Sequence, residues 1–244
     1  MMLQYQVNAT IRDMTVCVAC LAEDGKRVIA GTDTMMTYPI GASGSSYQKE
    51  NDAHDKLQMI TKEVAVMGAG NADTIKVILD NAKRTIGEKD RPVEIAEKIR
   101  KAYENYLKDK QEREVLTPAG LDWDYYLKHQ NQLQPVIAKD IHDKLQAVSV
   151  GSDIVIAGFD KTSNTAYAGV VAAPGATIYD RNSLGIALAG NGFTIANLFL
   201  AQSGYNKTMS EADVMKLVKD TITEAGHAPG VGGIGKIVSL PEKA

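Results

Sequence analysis

A chain of 244 residues can bury a substantial core, and one generous domain accounts for it. Its 27 Lys and Arg against 30 Asp and Glu leave a net charge of −3, which excludes the basic footprint of a nucleic-acid or anionic-membrane binder. No apolar run approaches the ~20 residues that span a bilayer, residues 1–14 lack the pattern of a secretory signal, and only two cysteines are present, so a cytoplasmic, reducing compartment is expected.

The first readable element is a β-hairpin from Thr15 to Asp33. Val16, Val18 and Cys20 alternate with Thr15, Cys17 and Ala19, and Glu23-Asp24-Gly25 is a turn signal before the next apolar run. Residues 34–55, rich in Gly, Ser, Asn and Asp, read as a long surface loop. Lys56-Leu-Gln-Met-Ile-Thr61 and Val64-Ala-Val-Met-Gly68 predict a second strand pair. A helix then starts near Asn71 or Ala72 and ends before Gly87, and Pro92 opens another. Residues 111–150 read as a mixed insertion with a short helix near 136–146.

Regularity returns with Ile154–Phe159 and Ala166–Val171, a further hairpin, followed by candidate strands at 178–179 and 185–189. Gly190-Asn-Gly192 leads into a helix from Phe193 to about Gln202. Thr208-Met-Ser-Glu211 has the form of a capping box, opening a helix with Val214, Leu217, Val218 and Ile222 inward. A last strand is expected at 236–240.

Helices in sequential pairs between runs of hairpin strands predict an α+β fold. Two antiparallel sheets would pack face to face with the helices outside, a four-layer α/β/β/α sandwich. Residues 1–14 are expected to be a leader or propeptide, and 15–244 a single domain interrupted by the insertion at 111–150. Cys17 and Cys20 fall on opposite faces of one strand and read as core packing. His54, His129, His142 and His227 share no metal-ligand spacing, so neither metal nor cofactor is expected.

With these residues at these places, the chain resembles the proteasome β-subunit family of N-terminal-nucleophile hydrolases. Met14-Thr-Val-Cys-Val-Ala19 is similar to the opening of the ancestral bacterial β-subunit homologues. Val28-Ile-Ala-Gly-Thr-Asp33 resembles the strand ending in the family's aspartate, and Lys56-Leu-Gln-Met-Ile60 the lysine-led strand. Val66-Met-Gly-Ala-Gly70 resembles the glycine turn into the first helix. Fourteen positions separate Lys56 from Gly70, as in the family. Ile156–Asp160, Gly190–Gly192 and Tyr205–Glu211 follow in family order.

The resemblance implies a threonine hydrolase whose catalyst is the start of the mature chain. A free Thr15 would supply both nucleophile and base, its α-amine having an ordinary pKa of roughly 7.7–8.0. Lys56 would stabilise the hydroxyl oxygen, Asp33 would pair with Lys56, and the Gly70 amide would donate to the oxyanion. Asn191 stands where the family places a serine, while Ala228 and Val231 stand where it carries Asp and Ser.

Thr15 cannot act as a base while peptide-bonded to Met14. Either translation starts at Met14 and methionine removal exposes Thr15, or residues 1–14 are a propeptide or a retained arm. The function implied is a self-compartmentalising threonine endopeptidase acting on unfolded polypeptides, built as a homo-oligomeric ring or ring-like stack. Such a particle is compatible with an ATP-dependent unfoldase partner. The alternatives are a catalytically inactive structural subunit of the same kind of particle and a small-molecule amidase.

Overall fold

The computed structural model describes residues 15–40, 45–50, 56–173 and 176–241, with the backbone alone for 36–40 and 45–50. The 1–14 leader lies outside these residues, as do His54 and parts of the expected 34–55 loop. Strands β1 (Cys17–Ala22) and β2 (Arg27–Asp33) form the expected hairpin across a 3-10 turn at Glu23–Gly25. They pair antiparallel with β10 (Ile186–Ala189) and β11 (Ile234–Leu240) in a sheet ordered β10-β1-β2-β11. A second antiparallel sheet runs β5-β6-β7-β8-β9, from β5 (Leu57–Thr61), β6 (Val64–Gly70), β7 (Ser152–Asp160), β8 (Thr165–Ala172) and β9 (Thr177–Asp180).

Period-2 alternation explains why both faces of β1 are buried. Cys17, Ala19 and Leu21 join Val28 and Ala30 in a core shared with Leu57, Ala65, Met67, Val155 and Ala157 of the other sheet. Val18, Cys20 and Ile29 face the other way, onto helices α5 (Phe193–Gln202) and α6 (Glu211–Ala225) through Leu200, Val214, Val218 and Ile222. The second sheet buries Val66, Ile154 and Ile156 against α1 (Ala72–Lys83) and α2 (Pro92–Gln111) through Ile78, Leu79, Ile95, Ile99 and Tyr103. Each fully buried aliphatic side chain contributes roughly 1.5–3 kcal/mol. The molecule is therefore α+β, with two antiparallel sheets and six helices among the described residues.

Two expectations need correction, and the reading of the insertion is extended. The 34–55 segment is not loop throughout: β3 (Met35–Ile40) and β4 (Ser45–Glu50) pair antiparallel, from Met35↔Glu50 to Ile40↔Ser45. The ribbon joins neither large sheet. The cap of α6 is Ser210, not Thr208: Ser210 accepts from the Asp213 amide at 3.2 Å and donates to its carboxylate at 2.6 Å. The insertion holds α3 (Trp123–His129) besides the expected helix, which is α4 (Pro135–Ala147), and a π-helical turn at Glu112–Leu116. Leu116, Tyr126, Ile141 and Leu145 give it a small core of its own.

Candidate active site

Strand ends build the site. Thr15 lies two residues before β1, Asp33 closes β2, Lys56 immediately precedes β5, Gly70 closes β6, and Gly190–Gly192 link β10 to α5. Antiparallel pairing brings the start of one strand beside the end of its neighbour. Asp33 thus reaches Thr15's neighbour, its Oδ1 accepting the Val16 amide at 3.0 Å.

Lys56 bridges the set. Its Nζ donates to Thr15 Oγ1 at 2.9 Å and to Asp33 Oδ1 at 3.0 Å. The side chains of Lys56 and Asp33 are only 6% and 0% exposed. A buried ion pair is tolerated when hydrogen bonds satisfy what the pair leaves over. Asp33 meets that condition, since Oδ2 accepts the amides of Met35 and Gly232, both at 3.0 Å. Four donors therefore hold one carboxylate, three of them backbone.

Thr15 is buried and its carbonyl accepts the Gly192 amide at 3.2 Å. A Cβ built on Gly190 (φ +93°) would lie 2.0 Å from that carbonyl oxygen and 3.3 Å from Ala69 Cβ. Only glycine allows this approach, and Ala69 brings the end of β6 to the same place. Asn191 sits in the turn between these glycines, with its residue exposed.

Gly70 adopts φ +119°, and a Cβ there would meet the Gly151 carbonyl oxygen at 2.5 Å. The Gly68 amide donates across to the Lys56 carbonyl at 3.4 Å. Alternation along β6 sends the Gly70 amide to that same edge, toward the Lys56 side. Thr15, Asp33 and Lys56 are thus joined by hydrogen bonds, and Gly70 borders them through its neighbour Ala69. Val231 packs in the apolar core beneath α6, with Ala228 against it.

Cys17 is the other nucleophilic atom close by, its Sγ 3.9 Å from Thr32 Oγ1. Burial pushes its thiol up to about 12, with Lys56 opposing and Asp33 adding to the shift. The thiolate is the nucleophilic form, so near neutral pH the Cys17 thiol stays protonated and unreactive. An ammonium at hydrogen-bond distance from Thr15 Oγ1 stabilises negative charge developing on it. A freed Thr15 amine would place a base on the same residue.

Sequence reasoning missed the amides of Val16, Met35 and Gly232, because a backbone donor carries no residue signature. It also missed Ser152, whose Oγ accepts the Asn71 amide at 3.0 Å. A cleft of about 420 Å³, lined by Lys62, Glu63, Lys89, Arg91, Asp160 and Lys161 among others, lies at the opposite end of β6 and shares none of the site residues. Among the described residues no three His, Cys, Asp or Glu are grouped to hold a metal ion, and no helix is long and apolar enough to cross a membrane. A scan of the sequence against family models finds no match, and no curated protein aligns with it.

Proposed function

We propose that this chain is a threonine-type endopeptidase of the N-terminal-nucleophile class, with Thr15 as the first residue of the mature protein. The observation that carries this reading is the contact of Lys56 Nζ with both Thr15 Oγ1, at 2.9 Å, and the buried Asp33 carboxylate, at 3.0 Å. In the proposed reaction the Thr15 hydroxyl attacks a peptide carbonyl while its freed amine takes the proton, which it passes to the departing peptide amine as the C–N bond breaks and an ester to Thr15 Oγ1 forms. The Gly70 amide donates to the oxyanion, and water then releases the acyl group. Asp33 acts through Lys56, fixing where the ammonium points.

The two sheets with their helix pairs are read as the four-layer α/β/β/α sandwich of such hydrolases. The core shared by the sheets and the two sheet–helix cores support it. Enclosure of the sites within a homo-oligomeric particle would exclude folded proteins, leaving unfolded polypeptide as substrate, with an ATP-driven unfoldase as a fitting partner.

Hydrolysis of fluorogenic peptides by the full-length protein from its native host tests the reading. Thr15→Ala should abolish turnover, and Lys56→Ala should lower kcat by about 10²–10³-fold. Activity unaffected by Thr15→Ala would remove Thr15 as nucleophile.

A catalytically inactive structural subunit is the second reading. It is favoured by the apolar packing of Val231 and Ala228, which leaves no side-chain polar group at those positions to hold an amine. Wild-type protein with no turnover on any peptide would select it.

A further inference from the structure

Resting on the proposed hydrolysis, we infer that Ser152, at the start of β7, is a positioning residue for the oxyanion donor at Gly70. Three interactions meet at the turn from β6 into α1. The Asn71 side chain caps α1 by accepting the Thr74 amide at 2.9 Å. The Asn71 backbone amide donates to Ser152 Oγ at 3.0 Å. Ser152 is buried, and its carbonyl accepts Tyr103 Oη at 2.9 Å from the fully buried Tyr103 of α2.

A chain of hydrogen bonds therefore runs from α2 through the start of β7 to the peptide that follows Gly70. It matters because Gly70 stands on Ser152 with no slack. A Cβ at Gly70 would lie 2.6 Å from both Ser152 Cα and Ser152 Oγ. At φ +119° the residue is held by its surroundings rather than by an intrinsic preference. With the Asn71 amide tied to Ser152, the 70–71 peptide plane cannot swing, and the Gly70 amide on its other side keeps its aim. Donors stabilise an oxyanion because they are aimed before reaction and need no reorganisation. A group that locks such a donor acts on the transition state more than on substrate binding.

The test uses the full-length, processed protein with a fluorogenic peptide and a peptide boronic acid, whose tetrahedral adduct places an oxygen at the oxyanion position. Ser152→Ala should lower kcat by about tenfold, a fraction of the 10²–10³ for outright loss of a donor, with KM within about twofold. Boronate affinity should fall by the same factor as kcat, and Ser152→Thr, which keeps the acceptor oxygen, should restore both. Hydrogen exchange of the Asn71 amide should be about tenfold faster in Ser152→Ala, a readout that needs no turnover. Unchanged kcat, boronate affinity and Asn71 exchange in a Thr15-dependent enzyme would overturn the role of Ser152 alone. Wild-type turnover that survives Thr15→Ala would instead overturn the reading beneath it, and this proposal with it.

Discussion

Lys56 meets two oxygens from within the protein, and the third party to that contact, Asp33, has every lone pair engaged by a donor. Removing one partner of such a pair leaves an uncompensated buried charge, which costs about 3–5 kcal/mol. The neighbouring Cys17 gives a pH signature. Its thiol is raised by burial from 9.0 to about 12, and Cys20, buried on the opposite face, is raised in the same direction. The native state keeps these protons at pH values where the unfolded chain releases them. Their contribution is thus fully present below pH 9 and is lost as pH rises toward 12, at up to about 1.4 kcal/mol per pH unit per thiol. Urea unfolding of Cys17→Ala between pH 8 and 10.5 should show a shallower alkaline decline than wild type. Equal slopes would refute the assignment. Thr15, Asp33 and Lys56 were singled out together because the segments that carry them follow the order of the family the chain resembles, and each alone reads as an ordinary strand-end or surface residue. The amides completing the Asp33 shell were not legible, since any residue can supply them.

Among elements, α6 offers a direct comparison of two candidate caps two positions apart. Ser210→Ala should cost about 1 kcal/mol, the usual loss of a side-chain N-cap, whereas Thr208→Ala should stay within about 0.5 kcal/mol. Thermal or urea unfolding of the two variants decides it, and the reverse ranking would contradict the observed cap. The capping-box pattern could not separate them, because Thr208–Glu211 and Ser210–Asp213 both have the required spacing. Most hairpins were readable from alternation, as with β1 and β2 or β7 and β8, since each face meets a different core. The β3–β4 ribbon was not. It pairs only with itself, so no large sheet imposes an alternating pattern on it, and the Gly, Ser, Asn and Asp content of residues 34–55 suggested a loop. Helix α3 was hidden for a similar reason: it serves the small insertion core through Tyr126 and leaves much of its surface outside.

For the whole molecule, the two sheets set the candidate site by where their strands stop. The shared apolar core fixes one sheet over the other, and that stacking brings the end of β2 to the start of β5 across two sheets. Distant parts of the sequence therefore supply one cluster of atoms, which is why chain order alone pointed to the residues but could not give their distances. The proposed activity further requires the peptide bond between Met14 and Thr15 to be absent in the working protein. Intact mass measurement of the protein purified from its native host, after treatment with a threonine-directed electrophile, tests this most directly. The account predicts a chain beginning at Thr15 and carrying one adduct, with no adduct in Thr15→Ala. Native-host protein whose chains retain residues 1–14 and take up no label would contradict it.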